Sequence, residues 1–344
     1  MPAVWLPYGS TSISIKIDHE DLAWVFPTRL NTGLLNPQAL NNVLKTLCRE
    51  GRLLLLDSTL PAQVKGFLRR NVSGNMVELV GFDMLNKDPS ENLSLKSACL
   101  LSHPHLDPLI GFRGLGENLI PFYPMLWRDF KTNLSDASKS ESTFNLKNYL
   151  DDLEKQVDIE LIMLAPWTGE SGILSVNTLV EAYEALDNFK GELTASLSPS
   201  VELLLISAGG DPFDESLSRA LSIFPNCLRN CDCDRILLVA EGSEGLGLDP
   251  ELLLKDNSEL EMPLILQYIT LCKSLLGDKA VHFVSAIPDS LLKIMIDCKA
   301  YETLLDAYKA SRLFLPKGSK TGVVTHASFA SIVLEKGLKT AGGA

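Results

Sequence analysis

The segment SHPHLDPLIGFRGLGEN, residues 102–118, holds the densest group of side chains that could do chemistry. His103, His105 and Asp107 alternate along it, and alternate residues of an extended segment point to the same side. Because histidine titrates near neutral pH, His105, or else His103, is predicted to act as a general acid or base. Three converging ligands, including His103, would instead make the metal site of a hydrolase. A third interpretation is a turn-rich loop whose histidines bond backbone groups.

The same segment also carries three glycines. Gly111, Gly114 and Gly116 give the spacing G-x-x-G-x-G, which differs from the dinucleotide-binding fingerprint and does not follow an obvious strand. Glycine permits either a tight turn or a close approach of the backbone to a ligand. Both interpretations stay open from the sequence.

Two loops of the second half follow apolar strands. Residues 207–212, SAGGDP, follow one strand, and residues 240–247, AEGSEGLG, follow the next. Gly209 and Gly210 allow a sharp crossing from strand to helix, where backbone N–H groups favour an anion such as a carboxylate. Glu241 is either a solvated acid or a ligand contact. Both loops are expected on one rim of a sheet, which favours a ligand site there.

Cys227, Cys231 and Cys233 form a C-x3-C-x-C cluster. A zinc or iron–sulfur site needs four ligands, and no fourth cysteine or histidine lies close in the sequence. The cluster is therefore interpreted as small apolar residues around a loop between a helix and a strand. Seven cysteines in 344 residues also argue against a disulfide scaffold.

The elements that position these residues follow from apolar patterning. Residues 13–17, ISIKI, alternate between apolar and polar, which predicts a half-buried strand. Residues 51–59, GRLLLLDST, are apolar on both faces, as in a central parallel strand covered by helices. Ligands bind at the carboxyl ends of such strands, where Asp57 and Thr59 stand. The polar, Ser-rich residues 131–145 predict an exposed loop.

Strand and helix patterns alternate in both halves, which predicts the α/β class. At about 150 residues per domain, 344 residues suggest two domains. We expect two α/β domains with mainly parallel sheets, residues 1–195 and residues 196–344. The candidate linker is 191–200, and a ligand cleft is expected between the domains.

Composition excludes several classes of partner. The formal net charge is −12 and the pI is about 5.0, which argues against nucleic acid and against anionic lipid. No apolar run approaches about 18 residues, so no membrane span is expected. The N-terminus lacks the pattern of a signal peptide, and the expected location is the cytoplasm. The oligomeric state is left open.

Several segments resemble the lactate racemase family, the LarA-like nickel-pincer enzymes. The N-terminal start and the core of the second half carry most of the similarity, and two stretches of the first half add to it. These segments are LPYGSTSISIKI (6–17), GRLLLLDSTLP (51–61), HPHLDPLIGFRGLGENLIPF (103–122), LLLISAGGDPFDESLSRAL (203–221) and RILLVAEGSEGLG (235–247). The resemblance covers most of the chain in patches.

The resemblance implies chemistry on a 2-hydroxy acid. In the family, a nickel-pincer nucleotide accepts a hydride from the α carbon, and two histidines alternate as base and acid. His105 falls on one catalytic histidine, and Asp57 and Thr59 match a family motif. The lysine that anchors the pincer falls on Glu117, for which another catalytic role is expected. The second catalytic histidine and the nickel-binding histidine have no match.

The resemblance thus implies an isomerase of 2-hydroxy acids whose nickel-pincer racemase chemistry is altered or lost. The expected partner is a small-molecule carboxylate, which Arg219 could bind bidentately. The expected substrate-binding residues are Asp57, Thr59, Gly209, Gly210, Arg219 and Glu241. One alternative is a non-catalytic, small-acid-binding or regulatory pseudoenzyme. Another is the metal hydrolase built on the H-x-H-x-D pattern.

Overall fold

The computed structural model describes most of the chain. The described residues are 1–27, 53–71, 76–81, 97–140, 144–164, 173–176, 178–197, 201–229, 231–248 and 263–334. Within these ranges, strands and helices alternate. No helix in these ranges combines the length and the apolar composition that a membrane crossing requires.

The strands are short, and most of them join two larger sheets. They are β1 (Ala3–Tyr8), β2 (Thr11–Lys16), β3 (Leu22–Phe26), β4 (Leu53–Leu56), β5 (Met76–Glu78), β6 (Ser97–Ser102), β7 (His105–Asp107), β8 (Gly111–Arg113), β9 (Asp158–Leu164), β10 (Ile173–Val176), β11 (Thr194–Leu197), β12 (Leu203–Ser207), β13 (Arg235–Val239), β14 (Ala280–Val284), β15 (Lys299–Tyr301), β16 (Thr321–Val324) and β17 (Ser331–Leu334).

The helices connect these strands. They are α1 (Ala62–Asn71), α2 (Pro124–Ser140), α3 (Leu146–Glu154), α4 (Leu179–Leu193), α5 (Leu217–Ile223), α6 (Pro225–Leu228), α7 (Leu264–Leu276), α8 (Asp289–Ile296) and α9 (Leu304–Arg312). Two 3-10 helices cover Glu117–Phe122 and Ala327–Phe329.

Five strands form the first sheet, in the order β10-β9-β6-β4-β5. All pairs are parallel except β10 with β9. From β4 the chain passes through α1 to β5 on one side, whereas β6 lies on the other side. The strand order therefore reverses between β4 and β6, which is where open parallel sheets bind ligands. The apolar residues of β4 are buried, as the sequence predicts for a central strand.

Six parallel strands form the second sheet, in the order β15-β14-β13-β12-β16-β3. The chain moves outward from β12 through β13, β14 and β15, and then returns to place β16 on the other side of β12. The reversal point of this sheet thus lies between β12 and β16. The loops that follow these two strands form its candidate ligand rim.

The chain divides into two compact units. One comprises Met1–Thr28, Gly191–Ser258 and Tyr268–Ala344, and the other Arg29–Lys190 and Glu259–Gln267. This division differs from two consecutive domains, 1–195 and 196–344. The N-terminal segment belongs with the second half because β3 pairs with β16. The ligand cleft expected between the units stays a prediction.

The N-terminal hairpin explains that division physically. β1 and β2 pair in antiparallel register, and Ile15 is buried, as its alternating pattern predicts. Ile15 and Leu6 belong to the apolar cluster that contains Leu205 and Leu237 of the six-stranded sheet. Their burial removes apolar surface from water only when the hairpin packs on that sheet.

Candidate functional site

Buried polar residues follow β4 at the reversal point of the five-stranded sheet. Asp57, Ser58 and Thr59 are each less than one-tenth exposed. The Asp57 backbone N–H donates to Leu101 O at 2.9 Å, which extends the pairing of β4 with β6. Asp57 Oδ1 accepts the backbone N–H of Thr59 at 2.9 Å and closes a turn. The turn directs these side chains to the carboxyl end of the sheet.

Asn118 and Thr59 tie this turn to its surroundings. Asn118 Nδ2 donates to Asp57 Oδ2 at 2.9 Å and to Ser58 Oγ at 3.2 Å. Thr59 Oγ1 accepts the backbone N–H of His103 at 3.1 Å. The loops after β4 and β6 are therefore joined, and the structure brings Asp57, Thr59 and His103 together. We call this set, with Ser58, His105 and Asn118, the β4 rim.

The two histidines of the β4 rim differ in placement. His103 follows β6, and loss of solvation lowers its pKa to about 4, so the imidazole is neutral at pH 7. His105 begins β7, is buried, and is opposite Arg113 of β8. A neutral imidazole is a proton acceptor, which is the chemistry predicted from the sequence.

Glu117 is fully buried and holds the loop that follows β8. Its Oε1 accepts the backbone N–H of Gly114, and its Oε2 accepts that of Leu115, both at 2.8 Å. Arg113 Nε lies 3.7 Å from Oε1. Burial, and then the charge of Asp57, raise the pKa of Glu117 to about 7, against the opposing effects of Arg113 and the two N–H groups. These contacts give Glu117 a structural role, and its expected catalytic role has no support from this geometry.

The glycine pattern in this loop reflects a close crossing of backbones. Gly114 has a φ of 82°, and a Cβ there would lie 3.0 Å from the Cα of Pro104. Only glycine fits both the left-handed conformation and this crossing. The turn interpretation therefore explains Gly114.

The H-x-H-x-D pattern does not assemble a metal site in the described chain. Asp107 Oδ1 accepts the backbone N–H groups of Leu109 at 2.7 Å and of Ile110 at 3.0 Å, so it stabilises a turn. Among the described residues, no three His, Cys, Asp or Glu side chains are grouped so that they could hold a metal ion. The described residues therefore give no support to His103 as a metal ligand, and that role and the hydrolase alternative stay predictions.

The second rim lies on the six-stranded sheet, where the loop after β12 meets the loop after β16. Gly209 has a φ of 120°, and a Cβ there would lie 2.4 Å from Ser328 Oγ. The backbone N–H of Ser328 donates to Ala208 O at 3.2 Å. The two loops are thus in contact at Gly209, whereas a Cβ at Gly210 would meet Pro7 and Gly9 of the N-terminal hairpin.

His326 in the loop after β16 was not selected from the sequence. Thr325 Oγ1 donates to Pro27 O at 3.3 Å, so it accepts from Nδ1 of His326 at 2.9 Å. Nε2 therefore carries the lone pair, and it is buried with no hydrogen-bond partner among the described residues. Burial lowers the pKa of His326 to about 4. The available signal was a Thr-His pair at the carboxyl end of a predicted strand.

Acidic residues surround the loop after β12. Asp214 Oδ2 accepts the backbone N–H groups of Gly9 at 2.7 Å and of Glu241 at 3.3 Å. Burial is the main cause that raises the pKa of Asp214 to about 6. Burial, and then a hydrogen bond with Asp211, raise the pKa of Glu215 to about 8.

Arg219 makes contacts within the protein next to this rim. Its Nη1 donates to Pro212 O at 3.2 Å and to Glu215 Oε2 at 3.3 Å. The guanidinium is therefore paired within the protein. These contacts use Nη1 alone and the side chain is 27% exposed, so the bidentate carboxylate contact expected of Arg219 stays a prediction.

Comparison with solved structures identifies a protein of similar fold. The solved structure of the lactate racemase apoprotein from Thermoanaerobacterium thermosaccharolyticum matches with a TM-score of 0.63. The match covers 96% of this chain and 100% of that chain, at 12% sequence identity. This chain has the lactate racemase fold. The expected α/β class with mainly parallel sheets is confirmed.

The likeness to lactate racemase is one of fold alone, because the sequence identity is low. No family model matches the chain, and no curated protein matches it. The lactate racemase fold supports the resemblance seen in the sequence segments, while activity has to be argued from the residues of the rims.

Proposed function

We propose that this protein binds a small 2-hydroxy acid at the β4 rim, and that it does so without nickel-pincer chemistry. One observation carries the proposal, which is the set of linked polar side chains buried at the reversal point of the five-stranded sheet. Burying polar groups is unfavourable unless they are bonded, so such a set needs a reason. Ligand binding at a strand-order reversal supplies one. The lactate racemase fold supports the choice of ligand class.

The β4 rim offers hydrogen-bond donors for a carboxylate. Ser58 Oγ accepts a hydrogen bond from Asn118, and Thr59 Oγ1 accepts one from His103. Each hydroxyl hydrogen is therefore left to donate to a different group. Neither hydrogen is donated within the described part of the chain. The Ser102 hydroxyl at the end of β6 is fully buried, and it also has no partner there. These three hydroxyls suit the oxygens of a carboxylate.

The histidines of the β4 rim supply proton acceptors. A 2-hydroxy acid carries one alcohol proton next to the carboxylate, and a neutral imidazole can accept it. Burial lowers the pKa of His103 to about 4, so its neutral imidazole can accept a hydrogen bond from the alcohol but is a weak base for removing its proton. His105, at the start of β7, is the second candidate for this role. The rim therefore has the parts for binding and for moving one proton.

The nickel-pincer nucleotide of the family does not fit the residues present. The position that the resemblance assigns to the anchoring lysine is Glu117, which has no amine for a covalent link. Both carboxylate oxygens of Glu117 are bound to backbone N–H groups, and the side chain is fully buried. No step of the proposal therefore uses that group.

Calorimetric titration tests the proposal. The 2-hydroxy acids D- and L-lactate are compared with propionate, which lacks the hydroxyl group. We expect saturable heat with one or both lactate enantiomers and weaker binding of propionate, because a partner for the hydroxyl is then left unpaired. No binding of any small 2-hydroxy acid to the folded protein contradicts the proposal.

Chiral chromatography of the same mixtures separates an enzyme from a binding protein. Interconversion of the enantiomers by protein that contains no nickel would show an enzyme that breaks the bond between the α carbon and its hydrogen, a step that transfer of the alcohol proton alone does not supply. Binding without interconversion supports the non-catalytic alternative, which the absence of a lysine at position 117 favours. Both outcomes keep the binding proposal and differ in its chemistry.

A further inference from the structure

Cys231 and Cys233 form a close thiol pair at the other end of the six-stranded sheet. They lie between α6 and the first residue of β13, at the amino-terminal side of the strand, away from the rim at its carboxyl end. Their Sγ atoms are 2.7 Å apart. Both cysteines are free thiols, Cys231 is partly exposed and Cys233 is buried.

We propose that Cys231 and Cys233 form a reversible intramolecular disulfide, which makes this segment a redox modification site. The sulfurs already lie closer than a hydrogen-bonded thiol pair requires, so bond formation needs little movement. The partial exposure of Cys231 admits a small oxidant. For Cys231 and Cys233 this proposal differs from the interpretation of the cluster as small apolar packing residues.

The surroundings make Cys231 the attacking thiol. The Cys233 thiol, the Cys233 backbone N–H and the Lys279 ammonium lower the pKa of Cys231, although burial opposes them. The hydrogen bond with Cys231, and then burial, raise the pKa of Cys233. The thiolate is the reactive form, so the first attack starts from the more exposed sulfur.

Glutathione disulfide is the oxidant class that balances the reaction. The Cys231 thiolate attacks one of its sulfurs, forms a mixed disulfide and releases one glutathione thiolate. Cys233 then loses its proton to that thiolate, attacks Cys231 Sγ and releases the second glutathione. The protein loses two electrons and two protons, and the small disulfide gains them as two thiols.

Cys227 provides an internal control in the same cluster. It is fully buried, and its Sγ donates to Ala330 O at 3.3 Å. Burial raises the pKa of its thiol, so it stays protonated. For Cys227 the packing interpretation from the sequence agrees with the structure.

Tryptic peptides separate the pair from its control. Cleavage after Arg229 and Arg235 gives a peptide of residues 230–235 that contains both cysteines of the pair and no other. The preceding peptide, 220–229, contains Cys227 alone. Folded protein is equilibrated at graded ratios of glutathione to glutathione disulfide and quenched in acid. It is then alkylated under denaturing conditions and digested, and the peptides are analysed by mass spectrometry.

The expected result is a change confined to one peptide. As the buffer becomes more oxidising, peptide 230–235 passes from the doubly alkylated form to an unalkylated form. The mass of that form is two hydrogens below that of the reduced, unalkylated peptide, and dithiothreitol reverses the change. Peptide 220–229 stays alkylated throughout. If peptide 230–235 remains doubly alkylated at every ratio, or accumulates only as a glutathione adduct, the proposal is overturned.

Single substitutions test the order of attack. The Cys233→Ser variant is expected to stop at a glutathione adduct on Cys231, because the second thiol is missing. The Cys231→Ser variant is expected to form no adduct, because Cys233 is buried. An adduct on Cys233 that forms as fast as the one on Cys231 contradicts the assignment. These results do not depend on the 2-hydroxy acid proposal.

Discussion

Asn118 and Asp57 are 61 positions apart in the chain, and Asn118 Nδ2 lies 2.9 Å from Asp57 Oδ2. The same amide group reaches Ser58 Oγ. This contact joins the 3-10 helix after β8 to the turn after β4 and so fixes the shape of the β4 rim. Its loss would leave a buried carboxylate oxygen without its partner.

Asn118→Ala is therefore expected to destabilise the protein by about 1–3 kcal/mol, since a buried acceptor is left unsatisfied. Denaturant unfolding followed by circular dichroism measures the change. The control is Asn71→Ala at the exposed end of α1, where Nδ2 donates to Phe67 O on the surface. Equal effects of the two substitutions would show that the Asn118 contact does not hold the rim.

The pKa of Glu117 predicts a pH dependence of stability. Folding raises this pKa from 4.5 to about 7, so the folded state holds the proton more tightly than the unfolded state. The resulting stability is fully present below pH 4.5 and is lost as the pH rises through about 7. Its slope is at most about 1.4 kcal/mol per pH unit.

Glu117→Gln isolates that contribution because glutamine does not titrate. The free energy of unfolding of the wild type is expected to fall relative to that of the variant between pH 4.5 and 7. Other raised carboxyl groups, such as Asp214, act equally in both proteins and cancel in the difference. Parallel stability curves over this range would contradict the assignment.

Gly209→Ala tests the contact between the loops after β12 and β16. A Cβ would meet Ser328 Oγ, and the φ of 120° is unfavourable for alanine, so a loss of about 1–3 kcal/mol is expected in thermal unfolding. The control is Gly191→Ala in α4, where no atom lies within 4 Å of the added Cβ. That substitution is expected to stabilise the helix by about 0.5–1 kcal/mol. Stability changes of the same sign in the two variants would contradict the contact between Gly209 and the loop after β16.

Arg219→Ala is expected to leave the affinity for 2-hydroxy acids unchanged, because its guanidinium is paired with Glu215. Calorimetric titration of lactate measures the effect. A tenfold loss of affinity, about 1.4 kcal/mol, would restore Arg219 as a carboxylate-binding residue.

Sequence patterns predicted those elements whose burial depends on local periodicity. The apolar run of β4 and the alternation of β2 were assigned correctly, since both patterns follow directly from which faces are buried. The Ser-rich segment 131–145 was predicted as a loop, but residues up to 140 continue α2. The buried residues of α2 recur at helical spacing, and the polar residues between them obscured this pattern. They are Trp127, Phe130, Leu134 and Ala137.

Contacts between distant segments were beyond the reach of the sequence. The charge of Arg219 suggested a ligand, and the structure shows that its Nη1 reaches Pro212 O and Glu215 in the loop before α5. The local signal at His326 is no more than a Thr-His pair at the end of a strand, and the burial of its Nε2 becomes visible only when β16 lies next to β12. The pattern around His103, His105 and Asp107 suggested a metal, but Asp107 is used by a turn.

The most direct test of the central claim compares two threonine variants by calorimetric titration with a 2-hydroxy acid that binds the wild type. Thr59→Val removes the buried hydroxyl of the β4 rim, and Thr11→Val removes an exposed hydroxyl in the N-terminal hairpin. We predict at least a tenfold weaker Kd for Thr59→Val, about 1.4 kcal/mol, and an unchanged Kd for Thr11→Val. Equal affinity of the two folded variants would contradict the placement of the ligand at the β4 rim.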